Sequence, residues 1–140
     1  MFVAGCVLSI SAQATLGQHV STVASDLVFM HAVTHTAGTR PGYTLHLITL
    51  PSGTVVREYV APSGIVFGVG WEGPTLPNLK TMLGAAFDQY VAANATRRAT
   101  PLAVSKSDLV IFSSGHLRAF AGHAYLPLAV PAGVDISVIQ

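Results

Sequence analysis

Charge is what this sequence has least of. Lys, Arg, Asp and Glu make up 9% of its 140 residues, against about a quarter in ordinary soluble domains. Seven cations and six anions leave a net charge of +1. No basic stripe is present, which argues against nucleic acid as a partner. Weak charge repulsion favours association, with another molecule or with further copies of the chain. Cysteine occurs once, at Cys6, inside a segment expected to be removed. A chain without it has no disulfide, no thiol nucleophile, no iron–sulfur cluster and no Cys-based zinc site. It is still long enough to bury a sufficient core as one domain.

That segment is MFVAGCVLSISAQA, uncharged, apolar in the middle and ending small-x-small at Ala12-Gln13-Ala14. The pattern is that of a secretory signal cleaved after Ala14, and it is too short to cross a bilayer as a helix. A basic start is missing, so either the true start lies upstream or the signal is atypical. The rival reading is lipidation at Cys6, since Val3-Ala4-Gly5-Cys6 fits a lipoprotein box. Only five residues precede Cys6 and the apolar run continues past it, which favours plain cleavage. The expected organisation is a signal peptide over 1–14 and one α+β domain over 15–140, periplasmic or secreted, with no transmembrane helix.

Within that domain STVASDLVFMHAV (21–33) carries Val23, Leu27 and Met30 at helical spacing, and HTAGTRPG (35–42) reads as loop. Three strand patterns follow, YTLHLITL (43–50), TVVREYV (54–60) and IVFGVGW (65–71), divided by two Pro-Ser-Gly turns. From Leu76 to Ala93, Leu79, Met82, Leu83, Ala86, Phe87, Tyr90 and Val91 recur on one helical face, with Thr75 as cap and Pro77 in the first turn. DLVIFSS (108–114) and HLRAFAGHAYL (116–126) read as a hairpin turning at Ser114-Gly115. The tail AGVDISVIQ is a final strand or one helical turn. The fold expected is α+β: an antiparallel sheet of about five strands, a three-strand meander then a helix and a hairpin. The long helix packs on one face, beside a short N-terminal helix.

IVFGVGW also poses a packing question. Strict alternation puts Ile65, Phe67, Val69 and Trp71 on one face and leaves Gly68 and Gly70 nearly bare on the other. The long helix, thin at Gly84, Ala85 and Ala86, is the favoured cover for the glycines. The competing arrangement lays it on the apolar face and leaves Gly68, Gly70 and Trp71 lining a groove.

Chemistry-bearing motifs are sparse. His31 and His35 stand at i, i+4 but lack the Glu of a HExxH pattern and run into Gly38 and Pro41. No metal site is assigned. There is no GxSxG elbow, phosphate loop or dinucleotide fingerprint, so no cofactor is expected. Catalysis is not supported. The runner-up is a small periplasmic hydrolase using His116 or His123 with a turn serine. The favoured candidate is a surface patch in which Arg57 and Tyr59 join His116, Arg118 and Phe120. Its chemistry suits carboxylates, phosphates or sugar rings.

The run LPSGTVVREYVAPSGIVFGVGWEGPTLPNLKTMLGAAFDQYV, followed by SDLVIFSSGHLRAFAGHAYLP, resembles a family of small exported bacterial proteins, domain of unknown function 2844. The resemblance spans about Leu16 to Gln140. It implies an exported, periplasmic domain and brings no known activity, cofactor or catalytic residue. The expected function is a non-catalytic envelope binding module, its partner an envelope protein, a glycan or a lipid headgroup, with self-association as a further possibility.

Overall fold

The computed structural model describes residues 16–96 and 101–140. The expected signal segment with Cys6 and Ala14, and the basic pair Arg97 and Arg98, lie outside them. Seven antiparallel strands form one sheet: β1 Thr34–Arg40, β2 Tyr43–Thr49, β3 Val55–Val60, β4 Val66–Gly73, β5 Leu102–Ser105, β6 Val110–His116 and β7 Ala119–Tyr125. Their spatial order is β1-β2-β3-β4-β7-β6-β5, two meanders joined where β4 meets β7.

The expected five-strand sheet is therefore corrected to seven strands. HTAGTR is no loop but β1, an edge strand in register from Thr34 opposite Thr49 to Arg40 opposite Tyr43. Pro41 and Gly42, with Gly42 at φ 83°, make the two-residue reversal between β1 and β2. β5 adds a four-residue strand on the other edge. Both Pro-Ser-Gly stretches do reverse the chain. Gly53 N–H donates to Leu50 O at 2.9 Å and Gly64 N–H to Ala61 O at 2.8 Å. The β6–β7 turn sits at Leu117-Arg118, with Arg118 at φ 65°, so Ser114 and Gly115 belong to the strand.

The long helix is also corrected. Leu76–Ala93 is not continuous: α2 covers Leu79–Leu83, a 3-10 turn covers Gly84–Ala86, and α3 covers Phe87–Thr96. Gly84 adopts φ 53°, ψ −122°, outside helical geometry, and breaks the rod. The cap is Asn78 rather than Thr75; its Oδ1 accepts from Thr81 N–H at 3.2 Å. Thr75 instead ties the β4–α2 loop to the β2–β3 turn: its hydroxyl donates to Ser52 Oγ at 2.7 Å and its carbonyl accepts from the Thr54 hydroxyl at 2.8 Å. The N-terminal helix is shortened to α1, Val23–Phe29, after a 3-10 turn at Val20–Thr22.

The apolar spacing holds except at Val91, which is 46% exposed. Leu79, Met82, Leu83 and Ala86 are buried, with Phe87 and Tyr90 packed beside them, against Ile48, Val56, Val69, Trp71, Ile111 and Ala124 of the sheet. This is the helix face. The opposite, tail face carries a smaller cluster in which Tyr59, Phe67, Tyr43 and Leu45 meet Val134, Val138 and Ile139.

A β-bulge decides the packing question. Tyr59 pairs with Gly68 and Val60 with Val66, leaving Phe67 as the extra residue. The bulge turns Phe67 away from Val69 and Trp71 onto the tail face, where its ring meets Tyr59 at 6.3 Å and Tyr43 at 6.2 Å. The helix lies on Val69 and Trp71, so the favoured helix–glycine contact does not form. The glycines are covered by the tail. A Cβ at Gly68 would stand 3.1 Å from Ile139 Cδ1, and one at Gly70 would collide with the Gln140 carbonyl oxygen.

Candidate functional site

Register places Arg57 opposite Gly70, Gly70 opposite His123, and His123 opposite Phe112. These residues form one row on the tail face, across β3, β4, β7 and β6. Because Gly70 has no side chain, the row dips at its centre, and Gln140 drops its carbonyl into the dip. Beside it opens a cleft of about 300 Å³, lined by Arg57, Glu72, Phe112, His123, Ile139 and Gln140 among others.

The polar groups of the cleft are loosely engaged. Arg57 Nη2 stands 3.5 Å from Glu72 Oε2, and Nη1 donates to Gln140 O at 3.5 Å. Both contacts are at the long limit of a hydrogen bond, and the Glu72 side chain is 69% exposed, so the ion pair adds little stability. The guanidinium fork and the carboxylate can thus turn to a ligand at small cost. The aromatic wall is more rigid: Phe112 stacks on His123 at 5.7 Å, and His123 on Tyr125 at 6.3 Å. Burial lowers the His123 pKa from its ordinary value, which keeps the imidazole neutral, with one donor and one acceptor nitrogen. Phe112, by contrast, is 38% exposed and forms the open end of the wall.

The structure brings only part of the expected patch together. Arg57 is in the cleft. Tyr59 shares its face but is 1% exposed, buried under the tail, where its Oη accepts from Gln140 N–H at 3.2 Å. His116 and Arg118 sit at the tip of the β6–β7 hairpin, and Phe120, opposite Gly115, alternates onto the helix face. Arg57 and Phe120 therefore point to opposite sides of the sheet. Of the alternative groove, Gly68 and Gly70 are roofed by Ile139 and Gln140, while the Trp71 ring lies over Gly122 on the helix face, although Trp71 also contributes to the lining of the cleft.

Phe112 and Glu72 were missed as binding residues, and His123 was considered only as a catalytic histidine. Alternation in DLVIFSS puts Phe112 on one face, but its partner depends on the turn, which lies three residues later than expected. The hydrolase reading gains no geometry. Among the described residues neither His116 nor His123 bonds a serine hydroxyl, and Ser114 Oγ donates to Ala121 O.

No helix among the described residues is long and apolar enough to cross a membrane. Nor do three or more His, Cys, Asp or Glu side chains cluster as metal ligands among them. His31 and His35 do not share a helix: His31 follows α1 at φ 53° and His35 lies in β1. No curated protein and no solved structure matches the chain. A family model described as protein of unknown function (DUF2844) does match, over residues 12–139, and the chain belongs to that family.

Proposed function

We propose that this domain is a non-catalytic binding module of the bacterial cell envelope, and that its ligand is a glycan held in the cleft on the tail face. The observation that carries the reading is the row Arg57–Gly70–His123–Phe112, with a partly exposed ring at one end and a loosely held guanidinium at the other. A sugar ring offers an apolar face for stacking and hydroxyls for hydrogen bonds. Binding sites of this kind combine apolar lining with a few convergent polar groups. Phe112 supplies the stacking surface. Arg57, Glu72 and the neutral His123 supply donors and acceptors of both kinds. A near-neutral chain, +1 overall, suits an uncharged or weakly charged ligand better than a lipid headgroup or polyanion.

Export is part of this proposal and rests on the signal-like sequence of residues 1–14 and on the family resemblance. The test is titration with oligosaccharides from envelope polymers, in parallel with anionic lipid vesicles and extended peptides. Saturable glycan binding that weakens about tenfold in Phe112→Ala supports the reading. Binding of vesicles or peptides alone, with no glycan response, removes it.

A further inference from the structure

On the helix face, at the sheet edge away from the cleft, two histidines converge. His35 on β1 and His46 on β2 are diagonal cross-strand neighbours: His35 pairs with Ile48, and His46 with Ala37. His35 Nε2 stands 2.9 Å from His46 Nδ1, with ring centroids 5.2 Å apart and planes within 10°. We propose that this pair is a chelating site for a late first-row divalent ion, Cu²⁺ foremost, with Zn²⁺ and Ni²⁺ as weaker ligands of the same site.

The geometry fits. Two imidazole nitrogens each about 2.0–2.1 Å from one ion, at the angles of octahedral or tetrahedral coordination, stand about 3 Å apart. The present separation is that distance, spanned by a single proton shared between the rings. An ion binds beside the N···N line once the ring that carries the shared proton shifts it to its outer nitrogen and both rings tilt from their head-on alignment, so that the two lone pairs converge on the metal. Both imidazoles stay neutral, and no net proton is released. Imidazole donors select copper, zinc and nickel over magnesium or calcium, and the affinity order places copper first.

His35 is exposed at the edge strand, so water can complete the coordination. The β1–β2 hairpin fixes the backbone positions of both ligands before the ion arrives.

The test is Cu²⁺ titration of the full chain, read by affinity and by electron paramagnetic resonance. The proposal expects one tight equivalent with two imidazole nitrogens. His35→Ala, on an exposed strand, leaves the fold intact, removes one nitrogen from the spectrum and lowers affinity about 100-fold, because a two-point site becomes a one-point site. His46→Ala does the same, and His116→Ala changes nothing. Unchanged affinity in His35→Ala, a loss of binding in His116→Ala, or the absence of a two-nitrogen spectrum overturns it.

Discussion

The carbonyl oxygen of Gln140 occupies the space that a side chain at Gly70 would need. The bare face of β4 is thus a seat for backbone, and the residues that fill it come from about seventy positions further along the chain. Three contacts hold the strap there: Ile139 on Gly68, the Gln140 N–H to Tyr59 Oη, and the long bond from Arg57 to the Gln140 carbonyl. The same carbonyl forms one wall of the cleft, so stability and binding meet at this point.

Gly70→Ala is expected to destabilise the domain by about 1–3 kcal/mol, because the added methyl forces the tail off the sheet. Denaturant unfolding measures the loss. In a chain lacking Ile139 and Gln140 the same substitution should cost less, giving a coupling of about 0.5–3 kcal/mol between position 70 and the tail. Equal costs in the two backgrounds would mean that the tail does not rest on Gly70.

Gly84→Ala separates a broken helix from a continuous one by sign. In an unbroken helix the change would stabilise by about 0.5–1 kcal/mol. At φ 53°, ψ −122° it is expected to destabilise by about 1–3 kcal/mol instead, since an L side chain is strained there. A raised melting temperature for this variant would contradict the observed break.

Acidification should weaken the fold in the histidine range. His46 is lowered by burial and then by the His35 charge, and His123 by burial alone. A folded-state pKa below the unfolded value means that the unfolded chain binds the proton more readily. Their contribution is therefore present above the ordinary histidine value near 6.5 and is lost as pH falls through the lowered values. The groups facing them are His35 and Glu58 for His46, and Arg57, Phe112 and Tyr125 for His123. Urea midpoints measured from neutral to mildly acidic pH should decline. The decline should be shallower in His46→Gln, which carries no titrating ring. A flat profile would show that neither ring is held neutral by the fold.

Much of the frame was legible in the residues. Leu79, Met82, Leu83 and Ala86 repeat at helical spacing because one face must meet the sheet, and each Pro-Ser-Gly fixes a turn by its own backbone preferences. β1 was not legible. THTAGTR is exposed along nearly its whole length, so it carries no apolar alternation to read. β5 is too short for periodicity to register. The Phe67 bulge depends on pairing between Tyr59 and Gly68, which no local pattern encodes.

The site was legible at Arg57 and little further. Phe112 and His123 meet only if the hairpin turns at Leu117-Arg118, and Ser114-Gly115 is the more obvious turn signal. Arg118 takes φ 65°, a conformation its side chain does not advertise. Tyr59 looked exposed because alternation places it on the same face as Arg57, yet tail residues distant in sequence cover it.

The most direct test of the account is amide chemical-shift mapping of the domain during titration with envelope oligosaccharides. The glycan reading predicts shifts concentrated at Arg57, Gly70, Phe112, His123 and Gln140, little change at Phe120 or Leu79 on the other side of the sheet, and loss of the response in Phe112→Ala. Saturable binding that maps instead to the helix face or the hairpin tip, or that survives Phe112→Ala unchanged, would contradict it.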